Sequence, residues 1–247
     1  MGELMIKLEN VVLPSPEQMK FVIEGMRNPM NSWEKGDSEF LGVEADETLL
    51  GDWFQIGPND LSLMKKLSQA GADHRKFLRM MSVYVRITAP LYWWKEFDTY
   101  KVGTVANSCS TMHKITEKEF TLDDFSTEHL LTGWDGKDKN GEPIIVPGPL
   151  EDFEIIIDML NAIRDAYFEI KPNETMPYRQ ERRKKLWYNL IQLLPSSYNQ
   201  TRNIMLNYEV LANIYHSRKN HKLDEWVEFC EWIENLPYSE LVTGKDI

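Results

Sequence analysis

Residues 71–114 read GADHRKFLRMMSVYVRITAPLYWWKEFDTYKVGTVANSCSTMHK, and this stretch decides the fold. Within it, residues 80–88 alternate between apolar and polar side chains, which predicts a strand with one apolar face. The apolar positions of that strand are Val83, Val85 and Ile87. The dipeptide Ala89-Pro90 then breaks the strand, and Pro90 suits the first turn of the helix that we expect next. One face of that helix carries Leu91, Trp94, Phe97 and Lys101 at three- and four-residue steps.

Outward from this segment, the sequence predicts more helices than strands. Residues 5–13 suit a strand, and the pattern Ser15-Pro16-Glu17-Gln18 predicts a capped helix over 16–27. Residues 28–58 have a weak pattern and are expected to form a loop with short ordered pieces, after which Asn59 caps the next helix. Further helices are predicted over 59–70, 153–170, 179–194, 202–217 and 223 to about 237, with a hairpin at Asn140-Gly141. We therefore expect an α+β fold dominated by helices.

Composition narrows the class of protein. The chain has 247 residues, of which 42% are hydrophobic and 27% are charged, so we expect one globular domain over residues 1–247. The net charge of -11 argues against nucleic acid and anionic membranes as partners. Cys109 and Cys230 are the two cysteines, and neither lies in a spacing typical of a zinc site, so no metal is expected. The start of the chain lacks a signal peptide and no long apolar run follows, which favours the cytoplasm.

Polar residues are concentrated after the predicted helix, in the turn that contains residues 104–111. A turn rich in Ser, Thr and Asn at a helix end can hold a phosphate group through backbone N–H groups. The alternative is an ordinary surface turn, because the same residues are common there. His74 and His113 suit acid–base chemistry or plain packing. Cys109 has no local His or Asp partner that would make it a nucleophile.

Asn207, Asn213 and Arg218 form a second polar group near the end of the chain. On a helix, Asn207 and Arg218 are eleven residues apart and would therefore lie on one face, at about 100° per residue. A bound ligand would satisfy such polar groups on an inner face. An exposed face is the alternative, and the pattern does not decide between them.

The order of these pieces resembles the flavin-dependent (ThyX-type) thymidylate synthase family. GADHRKF resembles the family's His-containing turn, SVYVRITAP its strand ending in Ala-Pro, and the next 24 residues its signature helix and motif. Later, Leu194-Pro195, Asn207, Leu211, Asn213 and Arg218 fall at the family's spacing. The resemblance covers roughly residues 10–30, 58–114 and 186–237. It implies a small antiparallel sheet packed with a larger set of helices.

The resemblance also implies an activity and a set of ligands. Members of the family are homotetramers that bind FAD and dUMP between subunits, and they make dTMP with methylenetetrahydrofolate and flavin reduced by NADPH. They need no protein nucleophile. The residues expected to bind the cofactor are His74, Lys101, Asn207, Asn213 and Arg218. The residues expected to bind the nucleotide are Glu96, Thr104, Asn107, Ser108 and Arg218.

Several motif positions depart from the family. Thr99-Tyr100-Lys101 replaces the family's Arg-His-Arg, and Glu96 and Asn107 replace a Gln and a Glu. Cys109 replaces the second Ser, and Thr111 and Ile191 each replace an Arg. Each Arg–phosphate contact contributes about 1.5–3 kcal/mol, so their loss lowers dUMP affinity unless other cations substitute. Arg75, Arg79 and the basic run 182–185 are candidates. The departures leave two alternatives open: a binding or structural protein without the chemistry, or a protein for a different nucleotide.

Overall fold

The computed structural model describes residues 5–41 and 53–245, and it shows an α+β fold with a small antiparallel sheet and a larger set of helices. The α-helices are α1 Pro16–Arg27, α2 Pro58–Gln69, α3 Leu91–Phe97, α4 Thr111–Lys114, α5 Pro149–Phe168, α6 Pro177–Leu193, α7 Tyr208–Arg218, α8 Asp224–Glu234 and α9 Glu240–Thr243. The strands are β1 Lys7–Val12, β2 Glu39–Leu41, β3 Trp53–Gln55, β4 Ser82–Pro90, β5 Val105–Ser108, β6 Trp134–Lys137, β7 Pro143–Val146 and β8 Asn199–Asn207.

The main sheet has four strands in the order β1-β4-β8-β5. In β4 the predicted alternation is confirmed: Val83, Val85 and Ile87 are at most 2% exposed, whereas Tyr84 is 49% exposed. Strands β2 and β3 form a separate antiparallel pair, with Phe40 opposite Phe54. Strands β6 and β7 form the predicted hairpin around Asn140-Gly141. Helices α3 and α7 directly follow strands β4 and β8 of the main sheet.

Contacts divide the chain into two compact units. Unit 1 holds the described residues up to 87 together with 97–107 and 202–245, and unit 2 holds 88–96 and 108–201. The chain passes between the units within β4, α3, β5 and β8.

Unit 1 has an aromatic core around α8. The rings of Phe97 and Trp226 stack with centroids 6.4 Å apart, and Phe229 meets Phe97 edge to face at 6.2 Å. All three side chains are at most 2% exposed. Burial of rings of this size dominates the hydrophobic stabilisation of such a core. Phe97 is the last residue of α3, so this core fixes the end of that helix within residues 91–114, which are called the signature segment below.

Unit 2 has its own hydrophobic core, which lies beneath the helices α5 and α6. Its buried members are Ile115, Phe120, Phe125, Phe153, Ile157, Leu160 and Leu190. The two helices pack against each other, and the Arg183 guanidinium lies 3.8 Å from the centroid of the Tyr167 ring. Backbone bonds from Leu91 N to Tyr198 O and from Tyr92 N to Ser196 O, both 3.0 Å, join the start of α3 to the segment after α6.

Several predicted helices are confirmed, and the capping box of α1 is present as expected, with Ser15 and Gln18 bonded reciprocally. Two details were wrong. Gly57, and not Asn59, is the N-cap of α2. Helix α3 ends at Phe97, so Lys101 lies outside it. The interval 28–58, expected to be a loop with short ordered pieces, contains the three-residue strands β2 and β3, and its residues 42–52 lie outside the described part of the chain.

The predicted helix over 202–217 was wrong in its first half. Residues up to Asn207 belong to β8, and α7 begins only at Tyr208. Asn207 is the N-cap of α7, with an extended backbone at φ -140° and ψ 169°. Asn207 therefore does not share a helix face with Arg218, and the geometric reason for pairing those two residues fails.

Within the described residues, none of the helices combines the length and the apolar character needed to span a membrane.

Candidate functional site

The signature segment returns from α3 through a tight turn at Gly103. Gly103 has φ +83°, a backbone conformation that costs L-residues with a side chain roughly 1–2 kcal/mol. A Cβ at this position would lie 3.0 Å from Asn207 Nδ2 and 3.1 Å from Val210 Cγ2. Glycine is therefore required here both for the backbone angle and for the close approach to α7.

Asn207 ties this turn to the start of α7. Its Oδ1 accepts a hydrogen bond from Val210 N at 3.1 Å, which caps the helix, and its Nδ2 donates to Gly103 O at 3.4 Å. The side chain is only 8% exposed. The side-chain amide of Asn207 thus stabilises both the start of α7 and the turn at Gly103, and this is a structural role in addition to any contact with a ligand.

Arg218, at the end of α7, is held by aromatic and polar partners. Its Nε donates to the hydroxyl of Tyr100 at 2.9 Å, and its Nη1 lies 2.9 Å from His221 Nε2. The guanidinium also lies 4.8 Å from the centroid of the Trp226 ring and 5.7 Å from that of Tyr100. Cation–π contacts of this kind favour a fixed guanidinium plane. Tyr100 stands where the family that this motif resembles has a His, and its hydroxyl binds Arg218.

Arg75 and Arg79 converge on Glu209 in the first turn of α7. Arg75 Nε lies 3.2 Å from Glu209 Oε1, Arg79 Nη2 lies 3.1 Å from the same oxygen, and Arg79 Nε binds Glu209 Oε2. The hydrogen bond from Arg79 is the main cause of a lowered pKa for Glu209. Arg75 Nη2 also donates to Asn213 Oδ1 at 3.2 Å. The two guanidinium charges are therefore balanced in part by a carboxylate, and Asn213 is joined to the same network.

The other predicted residues of unit 1 have different surroundings. His74 and Lys101 are exposed, and so is Asn107, which lines a small groove over the polar side of the sheet. The hydroxyl of Thr104 is buried and has no hydrogen-bond partner among the described residues. A buried hydroxyl without a partner costs about 1–3 kcal/mol, so Thr104 is a place where a bound polar group would be stabilising.

In unit 2, the end of the signature segment forms one wall of a cavity of about 590 Å³. Its lining residues are Thr88, Cys109, Ser110, Thr111, Lys114, Ile115, Glu117, Lys118, Phe120, Asp123, Asp124, Tyr198, Asn199, Gln200 and Thr201. Gln200 fixes the wall, since its Nε2 donates to Cys109 O at 3.0 Å and to Thr111 Oγ1 at 2.9 Å. Glu96 and Ser108, which were predicted to bind the nucleotide, belong to the same unit but do not line this cavity.

The cavity carries charges of both signs. Lys118 binds Asp124, and Lys114 binds Glu117. The hydrogen bond with Asp124 raises the pKa of Lys118, while burial, followed by the nearby Asp124 charge, raises the pKa of Tyr198. The side-chain oxygen of Asn199 is buried and accepts no hydrogen bond from the described residues. Each lysine already has a carboxylate partner, so a phosphate group bound in this cavity would compete with Glu117 and Asp124 for them.

The sequence did not predict the hydrogen-bond partners of Arg79 and Arg218. Glu209 lies 130 residues from Arg79, and Tyr100 lies 118 residues from Arg218, so no local spacing joins either pair. The cap role of Asn207 had a usable signal, because Asn directly before a helical pattern is a common N-cap. Among residues 5–41 and 53–245, the His, Cys, Asp and Glu side chains form no group of three or more that could hold a metal ion.

The fold of this chain is the fold of the flavin-dependent thymidylate synthases. In particular, the chain is similar to ThyX from Helicobacter pylori with FAD and dUMP, at a TM-score of 0.56 and 12% identity, over 98% of this chain and 97% of that chain. A second Helicobacter pylori ThyX structure, complexed with FAD and dUMP, has a TM-score of 0.54 and 12% identity, and covers 97% of both chains. The UMP/dUMP methylase PolB from Streptomyces cacaoi, bound with 5-Br UMP, has a TM-score of 0.51 and 14% identity, over 98% and 96% of the two chains. No family model matches the chain, and neither does any curated protein.

Proposed function

We propose that this protein binds a pyrimidine nucleotide and methylates dUMP or a related nucleotide, with methylenetetrahydrofolate as carbon donor and reduced FAD. The fold shared with ThyX and PolB supports this class of protein. The single observation that best supports binding of a ligand is the cavity of about 590 Å³. Its wall contains the motif positions Cys109, Ser110 and Thr111. Its volume lies within the range of about 300–1,000 Å³ that is usual for small-molecule sites.

The cavity has groups that would recognise a nucleotide. Hydroxyls of Ser110 and Thr111 suit ribose or phosphate oxygens. Thr111 stands where the family has an Arg, so phosphate binding rests on neutral donors and on Lys114 and Lys118. We expect affinity for dUMP to be lower than in a site with bidentate Arg contacts.

The proposal places the flavin against residues of unit 1. The buried hydroxyl of Thr104 has no partner in the described chain, and it follows directly on the Gly103 turn. In the proposal, Lys101, Asn213 and Arg218 hold the flavin beside this turn, and the two further cofactor residues are His74 and Asn207. When bound, FAD supplies the redox chemistry, and NADPH is the proposed reductant. The resemblance assigns further nucleotide contacts to residues that do not line the cavity of unit 2, and these contacts stay predictions; the residues are Glu96, Thr104, Asn107, Ser108 and Arg218.

A specific observation favours the second candidate, a protein that keeps the fold and binds a ligand without the reaction. Arg75 and Arg79, which were candidates to replace the lost arginines, both bind Glu209. The basic run 182–185 lies on α6, where Arg183 stacks on Tyr167 and Lys185 binds Glu181. These cations are engaged with other groups of the chain and would have to exchange partners before they could hold a phosphate.

The test begins with binding and then measures turnover. Purified protein is titrated by calorimetry with FAD, dUMP and UMP in turn, and dTMP formation is followed with methylenetetrahydrofolate, NADPH and FAD. Uptake of FAD, binding of dUMP or UMP, and a methylated product support the proposal. Nucleotide binding without flavin uptake or product favours the second candidate, and no binding of any of the three overturns both.

Variants locate the binding site. Thr111→Val removes a cavity hydroxyl, and Thr175→Val is its matched control at an exposed position outside the cavity lining. We expect weaker nucleotide binding for Thr111→Val and no change for Thr175→Val. A homotetramer in the cytoplasm is part of the proposal, and light scattering would then give four times the protomer mass of 29.0 kDa.

A further inference from the structure

Helix α5 has a second apolar stripe on the side that faces solvent. Its residues Phe153, Ile157 and Leu160 are buried in the core of unit 2. At about 100° per residue, another line of apolar residues falls on the opposite side of the helix. That line, the α5 stripe, consists of Ile155, Met159, Ala162 and Ala166, at steps of four, three and four residues. Ile155 is 65% exposed and Met159 is 42% exposed, so the core of this chain does not account for the stripe.

Acidic residues run along one edge of the α5 stripe. Glu151, Asp158 and Asp165 recur every seven residues and are exposed, so they lie within about 40° of one another around the helix. In a coiled coil, an apolar line with this spacing is the contact seam, and the charged residues beside the seam select the partner helix. A second α5 would bring acid against acid. The edge therefore favours a basic partner helix.

Helix α6 has the opposite charge. Helix α5 contains five acidic residues and one basic residue, a net charge of -4, whereas α6 contains five basic residues and one acidic residue, a net charge of +4. On α6, the side opposite the core residues Trp187, Leu190 and Ile191 carries an exposed line. That basic line consists of Tyr178, Arg182, Lys185 and Asn189. The α5 stripe and the basic line therefore lie on the same outer side of the packed pair of helices.

The stability of α6 itself does not explain its cations. They lie in the first half of the helix, at the positive end of its dipole, and the like charges of Arg182 and Lys185 are three residues apart. Among the described residues, no ion pair joins α5 to α6. Lys185 pairs instead with Glu181 of its own helix, and an exposed pair of this kind contributes little. Carboxylates from outside the chain would offset these unfavourable charges.

We infer that a second copy of this chain docks on this outer side, with α5 of each copy packed antiparallel against α6 of the other. A twofold axis parallel to the helices produces this arrangement, which makes the contact self-complementary and forms a four-helix bundle. The α5 stripe then packs on the aliphatic stems of the partner's cations, whose charged ends reach the acidic edge. The inference does not rest on the proposed ligand sites, and it names one surface through which the proposed homotetramer would assemble.

Exchange of charges between the two helices tests the inference. One variant, Arg182→Glu with Lys185→Glu, makes the basic line acidic, and the other, Asp158→Lys with Asp165→Lys, makes the acidic edge basic. Each variant alone should repel its own copies at both α5–α6 contacts, so light scattering should give half the wild-type mass. An equimolar mixture should regain the wild-type mass, because each acidic α6 then meets a basic α5. Recovery in the mixture also shows that both variants are folded.

A single substitution tests the apolar seam. Ile155→Lys should also halve the mass, whereas Phe21→Lys, at a 66% exposed apolar position on α1 of unit 1, should leave the mass unchanged. Three results would each overturn the inference: a wild-type mass of 29.0 kDa, charge variants that keep the wild-type mass, or a mixture that stays at half that mass.

Calorimetric titration of the wild-type protein with FAD and dUMP keeps the two proposals apart. Binding of either ligand by a protein whose charge variants keep the wild-type mass would overturn the docking surface and leave the proposed ligand sites standing. Loss of mass in the variants and its recovery in the mixture, without binding of either ligand to the wild type, would support the docking surface and overturn the proposed ligand sites.

Discussion

Replacement of Gly103 by alanine should destabilise the protein more than any other substitution of a positive-φ glycine by alanine in its described part. Two separate costs add at this position. The backbone at φ +83° disfavours a residue with a Cβ, at roughly 1–2 kcal/mol. The new Cβ would also lie 3.0 Å from Asn207 Nδ2 and 3.1 Å from Val210 Cγ2, so the cap of α7 must shift. Loss of an Asn cap costs about 1 kcal/mol, which gives a total of roughly 2–3 kcal/mol.

Gly71 offers a matched control for the conformational cost of alanine at a positive φ. It has φ +96°, and a Cβ built there meets no heavy atom within 4 Å. Gly71→Ala should therefore cost only the conformational part, roughly 1–2 kcal/mol. The difference between the two variants, about 1 kcal/mol, measures the close approach of the signature turn to the α7 cap.

Urea unfolding followed by far-ultraviolet circular dichroism measures both variants. A thermal melt should agree, with a drop of roughly 2–4 °C for each kcal/mol in a chain of this size. The same pair is then compared in an Asn207→Ala background, where the extra cost of Gly103→Ala should shrink, because the cap that it displaces is already absent and only the contact with Val210 remains. Equal costs for Gly71→Ala and Gly103→Ala in the wild-type background would refute the claim that Asn207 makes glycine necessary at 103.

Three other predictions concern buried or paired groups. Tyr100→Phe removes the 2.9 Å hydrogen bond to Arg218 and should cost about 1–2 kcal/mol of unfolding free energy, whereas a loss below the error of a urea titration would contradict it. Asp60→Asn leaves the buried Arg27 charge without its 2.6 Å partner and should cost about 3–5 kcal/mol at neutral pH. Burial favours a raised pKa for Asp60, but hydrogen bonds from Ser38 and Arg27 outweigh burial and lower the pKa. The wild-type protein should therefore lose stability as the pH falls through that lowered pKa. Asp60→Asn should lose less stability over the same pH range. Burial raises the pKa of Cys230 from 9.0 to about 12, so the thiol ionises in the unfolded chain before it ionises in the folded one. The free energy of unfolding should therefore fall as the pH rises above 9. In urea titrations from about pH 8 to about 11, Cys230→Ala should show a smaller fall.

The sequence was a good guide where local chemistry decides the structure. The alternation over residues 80–88 found β4, and Ser15 with Gln18 found the start of α1, because both signals lie within a few residues of what they determine. The helix predicted from residue 202 failed, because the helical pattern of α7 was extended backwards through Asn207 into β8. Whether a segment such as 199–207 becomes a strand depends on its neighbours in the sheet, which lie far away in sequence.

The candidate site was predictable in part. The resemblance drew attention to Asn207 and Arg218, and the structure joins each of them to the signature segment, through Gly103 and Tyr100. The reason given for pairing the two with each other was wrong, since one is a cap and the other is the last residue of the helix. The roles of the site residues and the single domain over 1–247 remain predictions. The ion pairs of Glu209 could not be foreseen, because charge partners more than a hundred residues apart leave no periodic signal.

The carboxylate of Glu209 offsets part of the positive charge at the start of α7. Arg75 and Arg79 both pair with it, in a molecule whose formal net charge is -11. A single change to glutamine would remove that negative charge while leaving the side chain nearly the same size. Phosphate-bearing ligands would then meet two adjacent cations without a carboxylate between them, so one position tunes how strongly this surface attracts anions.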